Sequence, residues 1–140
     1  MRFWDSSALV PLFVEEEQSE HLLSYYEQDQ TVIVWWAASV EVASAIARQE
    51  RQGSLSNAAA AAAMRRLAEI GQTWQELQPT PRLRQHAQRL LRVHALRAAD
   101  ALQLAAALTA ARGDPSILEL VCLDQRLTEA AHREGFLVLQ

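Results

Sequence analysis

Short extended runs alternate with longer helical ones along this chain, and that alternation limits the fold more than any other feature. Arg2 to Asp5 reads as a first strand. Ser6 and Ser7 can cap a helix that begins at once and carries Leu9, Val10, Leu12 and Phe13, with Pro11 in its first turns. Gln18 or Ser19 opens a second helix with Leu22, Leu23, Tyr25 and Tyr26. Thr31 to Trp35 is a β-branched run and the second strand. Helices are then predicted from about Val40 to Gln52, closed by Gly53, and from Ser56 through an alanine tract to Ile70, closed by Gly71. Trp74 to Leu77 reads as a short strand, and Pro79 and Pro81 mark a turn. Further helices are expected from about Arg82 to Val93 and from about Ala98 to Arg112, where Gly113-Asp114-Pro115 breaks the pattern. Leu120 to Leu123 is a strand, Gln125 to Arg133 a helix, and Phe136 to Leu139 a last short strand.

Strands interleaved with helices predict an α/β fold of three layers, α/β/α, around a central, mainly parallel sheet of four or five short strands. Right-handed crossovers would place every strand's carboxyl end on one edge of that sheet. A length of 140 residues suits a single domain spanning 1–140.

Ligands of such sheets bind beyond the carboxyl ends of the strands, and acids stand there. Asp5 and Asp124 directly follow the apolar runs Arg2-Phe3-Trp4 and Leu120-Val121-Cys122-Leu123. Asp100 interrupts the otherwise apolar stretch from Leu96 to Ala111, where an unpaired carboxylate costs stability. Glu41 is the sole acid between Thr31 and Gln49, among small residues that leave room around it. Each acid also fits a plainer role: Asp5 and Asp124 as helix N-caps, Asp100 paired with Arg97, Glu41 answering Arg48. Converging carboxylates repel one another unless protonated or bridged by a cation. An oxygen-rich set without nearby Cys or His selects a hard cation, Mg²⁺ or Mn²⁺.

The remaining composition narrows the partners. A net charge of −4 argues against a protein that holds nucleic acid by bulk basicity, although local distribution matters more than the total. Between Glu76 and Asp100 there is no acid, yet Arg82, Arg84, Arg89, Arg92 and Arg97 fall there with His86 and His94. That stretch is either a phosphate-binding surface, with Arg92 and Arg97 beside the site, or a solvated helix face. All 13 basic residues are arginine, which suits bidentate phosphate contact and equally suits GC-rich coding. The one cysteine, Cys122, excludes an intramolecular disulfide, no apolar run reaches membrane-spanning length, and the N-terminus reads directly as a strand. A cytoplasmic protein without a membrane segment or signal peptide is expected. The histidines, His21, His86, His94 and His132, lie on polar stretches and read as solvated.

Four segments resemble one family in order and spacing. Asp5-Ser6-Ser7-Ala8-Leu9-Val10 resembles the opening of PIN domains, the nuclease fold of VapC-type toxins. Glu41-Val42-Ala43-Ser44-Ala45 is similar to the family's glutamate on its third helix, and Leu123-Asp124-Gln125-Arg126-Leu127 to its last acidic block. Leu96 to Ala105, with Asp100 embedded, resembles the family's most recognisable segment. Cys122 departs from the pattern, since the family often carries Thr or Ser two residues before the last acid.

The resemblance implies a PIN-like fold and a Mg²⁺- or Mn²⁺-dependent endoribonuclease, most simply the toxin of a toxin–antitoxin pair. It implies Asp5, Glu41 and Asp100 as the core site and Asp124 as a support, binding directly or through water. Ser7 would contact a water or the scissile phosphate, or act only as a capping hydroxyl. A small cognate antitoxin would lie in an apolar groove, and Trp4, Trp35, Trp36, Tyr25 and Tyr26 suit such a groove, a homodimer face or the core. Three rivals stay open: a PIN-like RNA-processing nuclease without an antitoxin, a receiver-like phosphoacceptor, and an interaction domain whose acids are only caps. The receiver reading lacks a lysine for the phosphoryl group.

Overall fold

A computed structural model describes residues 1–140. The elements run β1 (Arg2–Trp4), α1 (Ser6–Phe13), α2 (Ser19–Gln28), β2 (Val32–Trp35), α3 (Ala38–Arg51), α4 (Asn57–Gly71) and β3 (Gln75–Leu77), then α5 (Pro81–Val93), α6 (Ala98–Ala110), β4 (Glu119–Val121), α7 (Gln125–Glu134) and β5 (Val138–Leu139). A single 3-10 turn, Pro115–Ile117, precedes β4. The five strands form one sheet in the order β3-β2-β1-β4-β5. Every neighbouring pair is parallel. This is the expected three-layer α/β/α arrangement, and all strand carboxyl ends share one edge.

Each face of the sheet carries its own apolar layer. Phe3, Ile33, Trp35 and Leu120 point into a core shared with α5, α6 and α7. Trp4, Val32, Val34 and Val121 point the other way, onto α1, α3 and α4. Alternation along strands as short as β1 and β2 thus splits the core, because successive side chains face opposite sides. No helix is long and apolar enough to cross a membrane.

Local chemistry explains most boundaries. Ser56 and Thr80 cap α4 and α5 by accepting from the N–H groups of Ala59 and Leu83, and Pro81 occupies the first turn of α5, where its missing donor is harmless. Gly135 ends α7 at φ 100°, a left-handed conformation that glycine adopts without strain. Several boundaries differ from the sequence reading, and β5 is two residues shorter than the expected strand Phe136–Leu139. α3 starts at Ala38, two residues before the expected Val40. α6 stops at Ala110, because Arg112 (φ 53°) and Gly113 (φ 79°) both turn left-handed. The expected strand Leu120–Leu123 runs from Glu119 to Val121, since its partner β1 ends at Trp4, opposite Val121. Cys122 is therefore buried just past a strand, not within one.

Candidate active site

Asp5 leaves the end of β1 and caps α1. Its Oδ2 accepts from the Ser7 N–H at 2.9 Å and from the Ser7 hydroxyl. The same hydroxyl oxygen accepts from the N–H groups of Leu123 (3.0 Å) and Asp124 (3.2 Å), tying the chain after β4 to the start of α1. Asp124 in turn caps α7 with Oδ1, 2.8 Å from the Leu127 nitrogen. The capping roles weighed from sequence are thus real for Asp5 and Asp124, and neither removes them from the site. Both residues stay at the sheet edge with one carboxylate oxygen outside the cap bond.

Glu41 sits in the first turn of α3. Its Oε2 accepts from Ser6 Oγ at 2.5 Å and from Gln103 Nε2 at 2.9 Å. Asp100 is the third residue of α6, and its Oδ2 accepts from the backbone N–H of Arg97 at 3.0 Å. The alternative pairing with the Arg97 guanidinium does not form; the partner is the main chain. Ala98 and Ala99 are exposed, and α6 becomes buried only from Ala101. Asp100 therefore belongs to the open mouth of an apolar helix, not to its interior.

All four acids line one cleft of about 250 Å³, together with Ser6, Ser7, Ser44, Arg48 and Gln103. Larger hollows lie elsewhere, the largest against α4 and β3, where Glu76 is the only acid. Chemistry marks the smaller cleft. Asp5, only 4% exposed, has its carboxyl pushed up to about 6 by burial; the hydrogen bonds of Ser7 oppose this and the charges of Glu41 and Asp124 add to it. No three carboxylates stand at the spacing of a ready-made metal cage. The donor set is nonetheless oxygen throughout, and the destabilised charge on Asp5 is what a bound cation would relieve. The residues fit a hard divalent ion that draws the acids together.

Some expected residues stand apart. Arg92 and Arg97 are exposed and do not line the cleft. Arg48 does, and it forms no ion pair with Glu41. Trp4 and Trp35 are core residues, Tyr25 and Tyr26 are half-buried, and Trp36 stays 49% exposed. His94 is not solvated: it ends α5 and its Nε2 meets Glu134 Oε1 at 2.6 Å, with only 5% of its side chain exposed. Sequence reasoning passed over Ser6, Gln103 and Arg48 as site residues. A signal existed for two of them, since Gln103 follows Asp100 by three positions and Arg48 follows Glu41 by seven, both helical spacings that share a face.

The protein-family model described as PIN domain matches residues 2–132. Ribonuclease VapC45 of Mycobacterium tuberculosis (strain CDC 1551 / Oshkosh) is 34% identical over 133 residues, covering 95% of this chain and 90% of that protein. Among solved structures, Mycobacterium tuberculosis VapC20, described as a Sarcin-Ricin loop cleaving toxin, superposes with a TM-score of 0.70 at 17% identity, over 98% of this chain and 97% of that one. A toxin–antitoxin complex from Klebsiella pneumoniae superposes with a TM-score of 0.63 at 15% identity, over 90% of this chain and 88% of that one. The two structures speak for the fold alone, and the family match and the VapC45 identity speak for kinship. The receiver-like and non-catalytic readings fall away: this chain belongs to the PIN-domain family, as an endoribonuclease of the VapC toxin type.

Proposed function

We propose that Asp5, Glu41, Asp100 and Asp124 are the hydrolytic centre of this ribonuclease and that they hold Mg²⁺ or Mn²⁺. The observation that carries the assignment is their meeting in one cleft that contains no His, Cys or Lys. Divalent-metal dependence is general among PIN ribonucleases, and the oxygen-only lining agrees with it. When bound, the ion would lower the pKa of a water for attack on a phosphodiester and offset the charge that develops on phosphorus.

The chain's own residues set up that chemistry. Ser7 fixes the Asp5 carboxylate and locks it to the Leu123–Asp124 turn. Ser7 itself has its hydroxyl occupied on both sides, so its contribution is to hold Asp5 rather than to seize the phosphate. Asp124, exposed at the rim, has the freedom to swing toward an ion. Arg48 supplies the one guanidinium inside the cleft and would orient a phosphate there. Arg92, in the last turn of α5, and Arg97, just before α6, would engage the RNA backbone outside it.

The natural partner on this reading is a small antitoxin, in keeping with the toxin–antitoxin complex among the structural neighbours. Trp36, with the exposed Val40 in the first turn of α3, offers an apolar anchor for that antitoxin or for a second copy in a homodimer. A cytoplasmic setting follows from an RNA substrate. A PIN nuclease of RNA processing would lack the small neighbouring antitoxin gene. The test is incubation of partner-free protein with tRNA and rRNA fragments in Mg²⁺ or Mn²⁺ against EDTA, with Asp100→Asn alongside. Discrete fragments requiring both the metal and Asp100 are expected; cleavage that survives EDTA or Asp100→Asn would overturn the assignment.

A further inference from the structure

Gln103 is the least expected residue of the cleft. α6 is apolar from Ala101 to Leu108 apart from this one amide, which is only 2% exposed. Its Oε1 is buried without a hydrogen-bond partner, an arrangement that costs stability and that an aliphatic side chain would avoid. Its Nε2 explains why the cost is borne. The amide nitrogen donates to Glu41 Oε2 at 2.9 Å and lies 3.5 Å from Ser6 Oγ, which donates to the same carboxylate oxygen at 2.5 Å. Turning the amide over would set its carbonyl oxygen against a carboxylate, acceptor against acceptor, so Glu41 dictates the orientation.

Both donors fall on Oε2 of Glu41, and Oε1 takes no hydrogen bond from the protein. Three elements are joined in this way: Ser6 begins α1, Glu41 lies in the first turn of α3, and Gln103 lies one turn into α6. We propose that Gln103 is a positioning residue that, with Ser6, clamps Glu41 by Oε2 and thereby presents Oε1 to a divalent ion in the cleft. The proposal rests on the metal-dependent reading given above. A donor of this kind fixes the rotamer of a ligating carboxylate, and such outer partners typically govern roughly ten- to a hundredfold of metal affinity.

The experiment measures Mn²⁺ binding by calorimetry and thermal unfolding in EDTA for the wild type, Gln103→Met, Gln103→His, Ser6→Ala and Glu41→Gln. Methionine matches the volume of glutamine but donates nothing, and it removes the orphaned carbonyl. Gln103→Met is therefore expected to melt at or above the wild-type temperature while its Mn²⁺ Kd rises roughly tenfold or more. Gln103→His, which keeps a ring N–H donor, should recover part of that loss. Ser6→Ala combined with Gln103→Met should cost less than the two changes summed, as expected for donors that serve one carboxylate. In single-turnover RNA cleavage the Met variant should lose rate at saturating RNA and keep its RNA affinity.

A Gln103→Met protein that binds Mn²⁺ within twofold of wild type, while Glu41→Gln has lost it, would overturn the positioning role and leave the metal centre standing. A folded wild type that binds no Mn²⁺ would overturn both. Should the Met variant not fold, Ser6→Ala carries the same decision, because Ser6 supplies the other half of the clamp.

Discussion

The sulfur of Cys122 lies 3.7 Å from Oδ2 of Asp5, the oxygen that also takes both hydrogen bonds from Ser7. A thiol is a weak donor, and burial pushes that of Cys122 up to about 12, so it neither ionises nor competes as a ligand near neutral pH. A hydroxyl at this position would donate more strongly to the Asp5 carboxylate and favour its charged form. Cys122→Ser should therefore move the acidic limb of the pH–rate profile to lower pH, by roughly 0.5 to 1. A limb that does not move would show that Asp5 does not govern it.

The buried Asp5 also makes stability depend on pH in an unusual direction for a carboxylate. Its folded value of about 6 stands above the ordinary 3.8, chiefly through burial. The folded state thus binds its proton more tightly than the unfolded chain does, and the stabilisation is complete below the ordinary value. It is lost as pH rises through the window from 3.8 to about 6, at a cost on the order of 3 kcal/mol. Melting in EDTA across pH 4 to 8 should show this loss in the wild type relative to Asp5→Asn, whose side chain does not titrate. Adding Mn²⁺ should restore stability progressively as pH rises across the same window, because the ion replaces the proton.

Asp100 separates a structural role from a chemical one. Its Oδ2 accepts the Arg97 N–H at the start of α6, so Asp100→Ala removes a helix-terminal acceptor and should cost about 1 kcal/mol of stability. That cost opposes the gain from relieved repulsion which the clustering of acids alone would suggest. Asp100→Asn keeps an acceptor oxygen and should melt close to wild type. Both variants should lose cleavage by roughly two orders of magnitude or more. Equal melting of the two variants, or activity retained in Asn, would contradict this division.

The same residue shows what was legible in advance. An aspartate at helical spacing from Leu96 and Leu104 announced that α6 carries something besides core, and strand runs ending in Asp5 and Asp124 located the functional edge of the sheet. What could not be read was contact between distant segments. Glu41 is bonded to Ser6 and Gln103, which stand 35 and 62 positions away, and no local pattern pairs them. His94 read as solvated along with the other histidines, yet Glu134, 40 positions on, folds back against it. Arg48 looked like a partner for Glu41 at helical spacing, but the two form no ion pair, and the guanidinium is left in the cleft.

That placement distinguishes Arg48 from the arginines singled out by local charge. A guanidinium inside the cleft can reach only phosphates next to the cleaved bond, whereas Arg92 and Arg97 are exposed outside it and can reach only RNA that extends beyond. Arg48→Gln should therefore raise KM roughly three- to tenfold for short and long oligonucleotides alike, with a salt dependence reduced by about one phosphate contact. Arg92→Gln and Arg97→Gln should spare a substrate of two or three nucleotides and weaken only longer ones. Measuring KM for a trinucleotide and a twelve-nucleotide RNA at several salt concentrations decides the matter. If Arg48→Gln leaves the short substrate untouched, the cation in the cleft serves the acids and not the phosphate.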